Sequence, residues 1–153
     1  MNRFFQIAAA AALVAFAGAS AHAATSGAVK LSGKVDAVCQ VAVTDHSAAL
    51  DLVKGETNAK VATIVEDCND PQGFKISFAS QNGGDLKSDA GHTADYTVNY
   101  DSTQNRDLNG GMQLNRQEAQ FSESHELTVN IPSSDTRTAG TYTDTITVTI
   151  AAN

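Results

Sequence analysis

The chain has 153 residues, with 17 Asp and Glu against 10 Lys and Arg, for a formal charge of −7. That balance excludes nucleic acid and anionic lipid as main partners, because both are recognised by clustered Lys and Arg. With 42% hydrophobic residues the chain can build a core, so compositional disorder is excluded too.

In chain order, the first feature is Arg3, followed by an apolar run from Ile7 to Ala17 and the small-x-small triplet Ala21-His22-Ala23. Together they predict a removable secretory leader over 1–23 and one mature domain over 24–153. The apolar run is too short to span a bilayer. The expected destination is a bacterial periplasm, and from there the cell surface or medium.

Export changes the reading of Cys39 and Cys68. Two cysteines in an oxidising compartment are expected to form one disulfide. Closing a loop of that size contributes roughly 3–4 kcal/mol in the chain-entropy account. Neither Cys lies near a second Cys or a His at metal-ligand spacing.

The rest of the chain alternates with a period of two. Val29, Leu31, Gly33, Val35, Ala37, Cys39, Val41 and Val43 alternate with mostly polar neighbours. This predicts one long half-buried first strand with Cys39 facing the core. Val61, Thr63 and Val65 alternate just before Cys68, and Phe74, Ile76 and Phe78 follow the turn Asn69 to Gly73. Tyr96, Val98 and Tyr100 form another set, Met112 and Leu114 a short one, and Leu127, Val129 and Ile131 a further one before Pro132. Tyr142, Ile146, Val148 and Ile150 close the chain, interleaved with threonines. Asn82-Gly83-Gly84, Asn109-Gly110-Gly111 and Ala139-Gly140 supply turn chemistry between these runs. β-Branched residues at this density and turns this frequent predict an all-β fold, an immunoglobulin-like antiparallel β-sandwich.

Gly140-Thr141-Tyr142 is the most specific local feature. A Tyr that opens a strand, with its hydroxyl returned to the backbone, marks strand F of immunoglobulin-like sandwiches. On that reading the chain ends before a strand G, and a hydrophobic groove lies open between unpaired edges until another chain donates a strand. The pattern Gly140-Thr141-Tyr142-Thr143 also introduces the last strand of complete modules, in which case nothing is missing. The sequence supports both.

These residues together resemble a chaperone–usher fimbrial subunit, of the type 1-like or spore-coat-U-like pilins. The resemblance rests on Ser26 to Cys39 as a first strand with its Cys, on the second Cys in Asp67-Cys68-Asn69-Asp70-Pro71, and on Gly140 heading the closing strand. It covers the whole mature chain. The chain departs from the family in placing Ala152, not an aromatic, before Asn153, and in having only Ala24 to Ala28 ahead of the first strand. The resemblance implies an incomplete sandwich, a periplasmic chaperone, an outer-membrane usher and polymerisation by strand donation. Val29, Leu31 and Val35 would then be donor or first strand, and Tyr142, Ile146, Val148 and Ile150 the groove edge. A stand-alone immunoglobulin-like binding domain that does not polymerise is the alternative.

Catalytic signatures are missing from the sequence. Gly27 to Lys34 resembles a phosphate loop, but Gly33 falls one position late and Val35 stands where Ser or Thr is required. His46, His92 and His125 are far apart. Asn105 to Gly110 opens like a calcium loop, yet Arg116 occupies the position that needs a bidentate Glu. Glu66, Asp67 and Asp70 are expected to keep a turn soluble. No enzyme activity, cofactor or metal is expected.

Overall fold

The computed structural model describes residues 26–153, and the leader expected over 1–23 lies outside the described residues. The chain divides into two units, Met1–Lys34 and Val35–Asn153. Residues 26–34 of the first have no regular secondary structure, and every one of them is exposed. The second unit is an all-β, immunoglobulin-like sandwich of antiparallel strands.

Among the described residues eleven strands follow in order: β1 Cys39–Asp45, β2 Glu56–Cys68, β3 Phe74–Ser80, β4 Asp85–Ser88, β5 Thr93–Asp95, β6 Thr97–Tyr100, β7 Thr103–Arg106, β8 Met112–Arg116, β9 Gln120–Ile131, β10 Tyr142–Thr143 and β11 Ile146–Ala152. One sheet runs β1-β2-β9-β6-β7, and a second runs β11-β3-β8. A small third sheet, β10-β4-β5, accompanies them. All pairings are antiparallel, as expected of sheets built from hairpins and long returns.

The core lies between the first two sheets. Ile76 and Phe78 of β3 and Met112 of β8 pack against Ile64 of β2, Val98 and Tyr100 of β6 and Val129 of β9. The Phe78 and Tyr100 rings sit 4.7 Å apart at a tilt of 57°, within the centroid range of favourable aromatic pairs and away from a face-to-face sandwich. Each buried set is the one that period two selects. Phe74, Ile76 and Phe78 are all buried, with the polar residues between them facing outward. Gly73 makes the turn into β3 possible: its φ is +82°, and a Cβ there would meet the Arg116 carbonyl.

Three expectations change. The first strand begins at Cys39, not Val29, because β2 ends at Cys68 and only Val38, bonded by Asn69, extends the pairing further upstream. Val29, Leu31 and Val35 are consequently exposed at 85, 91 and 85%. In β2 the fully inward positions are Ala62, Ile64, Glu66 and Cys68, with Val61 and Val65 half-buried on the alternate positions. Glu66 is therefore a buried core residue and not a solubilising turn residue. The closing run splits into β10 and β11, which join different sheets. Cys39 and Cys68 stand opposite each other in the β1–β2 register and are joined by the expected disulfide.

Candidate functional site

Among the edge strands of the described residues, β1 and β11 border the same groove. β1 pairs only with β2, and β11 pairs only with β3. Hydrogen bonds just beyond the strand ends give the phase of each ladder. The Gln81 N–H donates to the Thr145 carbonyl, in register with the β3–β11 pairing, so Thr147, Thr149 and Ala151 turn their backbone groups toward β3. Ile146, Val148, Ile150 and Ala152 turn theirs toward the open side. The His46 N–H donates to the Val61 carbonyl, so Gln40, Ala42 and Thr44 bond β2, while Val41, Val43 and Asp45 face outward along the sheet.

Between these edges runs a groove of about 280 Å³. Its floor is the buried core itself: Ala62, Leu127, Val129 and Ile131. Val43 forms one wall and Ile146 with Val148 the other. Leu50, from the loop between β1 and β2, and Leu86 of β4 also line it. The strand residues that border it are incompletely covered. Val43 is 49% exposed, and Ile146, Val148 and Ile150 are only half-buried although they alternate like core residues. An aliphatic face that stops halfway to burial, beside backbone groups outside any ladder, is an edge that a further strand could extend.

Local chemistry explains why the closing segment takes this position. Asp144, between β10 and β11, accepts hydrogen bonds from Ser80 Oγ and Tyr96 Oη, both at 2.6 Å, and from the Asn82 N–H at 3.0 Å. Those bonds fasten the start of β11 to the end of β3. Burial, with the Asp144 hydrogen bond second, raises the Tyr96 pKa, so its hydroxyl remains a donor. Tyr142 donates to the Thr138 carbonyl at 3.0 Å, the backbone-returning bond of a tyrosine corner.

Of the residues singled out from sequence, Ile146 and Val148 line the groove, and Ile150 continues the same strand. Tyr142 instead pairs Ser88 in the small sheet and lies outside the groove lining. Leu50, Leu86 and Asp144 were not legible as groove residues. They lie in loops or a short polar strand, whose contribution depends on long-range packing.

Other chemistry is sparser. No group of three His, Cys, Asp or Glu that could hold a metal exists among the described residues. No helix among them is long and apolar enough to cross a membrane. Glu56, Asp85, Asp95 and Asp107 line an open cleft of about 590 Å³. Asp85 and Asp95 are register partners there, and burial, followed by the Asp95 charge, raises the Asp85 pKa. A raised carboxyl pKa gives stability that is complete below the unfolded value, 3.8, and is lost as pH rises. Asp85→Asn is accordingly expected to raise the unfolding midpoint at pH 7 and leave it unchanged at pH 3. Equal effects at both pH values, measured by thermal unfolding, would contradict the repulsion.

Family models and curated proteins searched with this chain give no match. Among solved structures, it is similar to the crystal structure of the E. coli Hda pilus minor tip subunit, HdaB. The identity is 16%, the match covers 72% of this chain and 79% of that chain, and the TM-score is 0.39.

Proposed function

We propose that the chain is a structural subunit of a bacterial surface fimbria, exported and assembled by strand donation, and serving adhesion or biofilm formation. The observation that carries this reading is the groove between the unpaired edges of β1 and β11, floored by the core. A second observation agrees with it: Val29, Leu31 and Val35 alternate in an exposed segment that belongs to no sheet. Such a segment has the form of a donor, with alternate apolar side chains to fill the groove and a backbone that belongs to no sheet. The open groove favours the strand F reading of the closing segment over a complete sandwich. A periplasmic chaperone would shield the groove before assembly, and an outer-membrane usher would carry the subunit to the surface.

Size-exclusion chromatography of oxidised 24–153, produced in a periplasm without a partner chaperone, tests the proposal. Degradation, aggregation or ladders of oligomers, prevented when a peptide of residues 26–36 is supplied, is the expected result. A stable monomer with cooperative unfolding, indifferent to the peptide, would favour the stand-alone binding domain.

A further inference from the structure

Asn69, directly after the disulfide, grips the chain where it enters β1. Its Oδ1 accepts the Val38 N–H at 2.7 Å, and its Nδ2 donates to the Asp36 carbonyl at 3.1 Å. Its own N–H donates to the Val38 carbonyl at 3.1 Å, which extends the β1–β2 register one pair past Cys39 and Cys68. Residues 36–38 are thus held as a continuation of β1.

Those residues are also where the chain would have to reverse to fill its own groove. A three-residue hairpin turn over 36–38 sets Val35 opposite Cys39, Leu31 opposite Val43 and Val29 opposite Asp45. Directly opposed residues share a face, so Leu31 and Val29 would land on the groove that Val43 and Asp45 border. A turn at Gly33 would instead set Leu31 opposite Val35 and Val29 opposite Ala37, short of the groove. Self-filling therefore needs a turn within residues 35–38, the stretch that Asn69 holds extended.

We propose that Asn69 is a positioning residue for assembly, which pins Asp36 and Val38 so that the N-terminal segment serves the groove of a second copy and not its own. The proposal rests on the strand-donation reading. It assigns to a polar side chain outside the groove the choice between polymer and self-filled monomer. Losing both side-chain bonds shifts that partition by about tenfold, the size expected for two net hydrogen bonds.

The test compares oxidised 24–153 with its Asn69→Ala and Asn69→Asp variants by size-exclusion chromatography. Asn69→Ala is expected to raise the monomer-to-polymer ratio about tenfold. Asn69→Asp, which keeps the acceptor for Val38 and loses the donor to Asp36, falls between. A second readout uses Lys30→Cys with Thr44→Cys, exposed positions that are opposed in the self-filled hairpin. Peptide mapping should find their disulfide within one chain in the Asn69→Ala background and not when Asn69 is present. If Asn69→Ala fails to accumulate, Asn69→Asp must still increase that intrachain link. A wild-type chain that polymerises beside variants with the same partition and no intrachain link overturns the role of Asn69 alone. A wild-type chain that stays monomeric, whatever peptide is added, overturns strand donation and this inference together.

Discussion

Val148→Asp is expected to abolish assembly while leaving the monomer folded. Val148 stands in the wall of the groove, half-buried, with its backbone turned to the open side. In the free chain a carboxylate there keeps contact with water. Once a donor strand covers the groove, that carboxylate is sealed against Leu127 and Val129 with no cation to meet it. Burying an unpaired charge costs several kcal/mol at least, which weakens assembly by more than about a hundredfold. Thr147→Asp and Thr149→Asp are the controls, because both side chains are exposed on the outer face of the same strand. They should assemble nearly as the parent does. Sedimentation velocity of the oxidised variants reads the outcome. Polymers of normal length from Val148→Asp would mean that the groove is not the assembly site.

How much of this could be read from residues alone depends on the range of the interactions. Phe74, Ile76 and Phe78 announce their strand because alternation is a local property, and they are buried as the alternation requires. The closing run reads as one alternation from Tyr142 to Ile150, even though Asp144 stands at a position where that alternation places an apolar residue. Its break appears only when Ser80 and Tyr96, 64 and 48 positions away, reach the same carboxylate. Val29, Leu31 and Val35 show a different limit. An alternating pattern states that a segment suits a sheet, and it does not state whose sheet. Within this chain β2 ends before it can pair them.

Glu66 is the clearest case of long-range interactions deciding a residue's role, and it carries the second large effect. Its carboxylate is fully buried and accepts from Tyr100 Oη at 2.6 Å, Arg116 Nε at 2.8 Å and Arg116 Nη2 at 2.7 Å. These partners lie 34 and 50 positions along the chain. Glu66 and Tyr100 belong to the β1-containing sheet and Arg116 to the β11-containing sheet, so the network ties the two layers together. Glu66→Ala removes one charge, strands the Tyr100 hydroxyl and leaves the 11%-exposed Arg116 with Asp101 as its remaining ion-pair partner. Breaking a buried pair in this way costs about 3–5 kcal/mol, which urea unfolding measures directly. Glu66→Leu combined with Arg116→Met and Tyr100→Phe should recover most of that loss, because the apolar set leaves none of the three buried positions with an unpaired polar group. The pH profile separates this account from simple packing. Burial, and then the Glu66 hydrogen bond, raises the Tyr100 pKa above its ordinary 10.0. A raised pKa means that the folded state holds its proton where the unfolded state releases it, so stability is complete below 10.0 and declines as pH rises beyond. Arg116 acts on Asp101 in the opposite sense, holding its carboxyl below 3.8, so that contribution is present above 3.8 and lost as pH falls further. Arg116→Met should flatten the acid limb, and Tyr100→Phe the alkaline one. A loss under about 1 kcal/mol for Glu66→Ala, with both limbs unchanged in these variants, would show that the two layers are held by apolar packing alone.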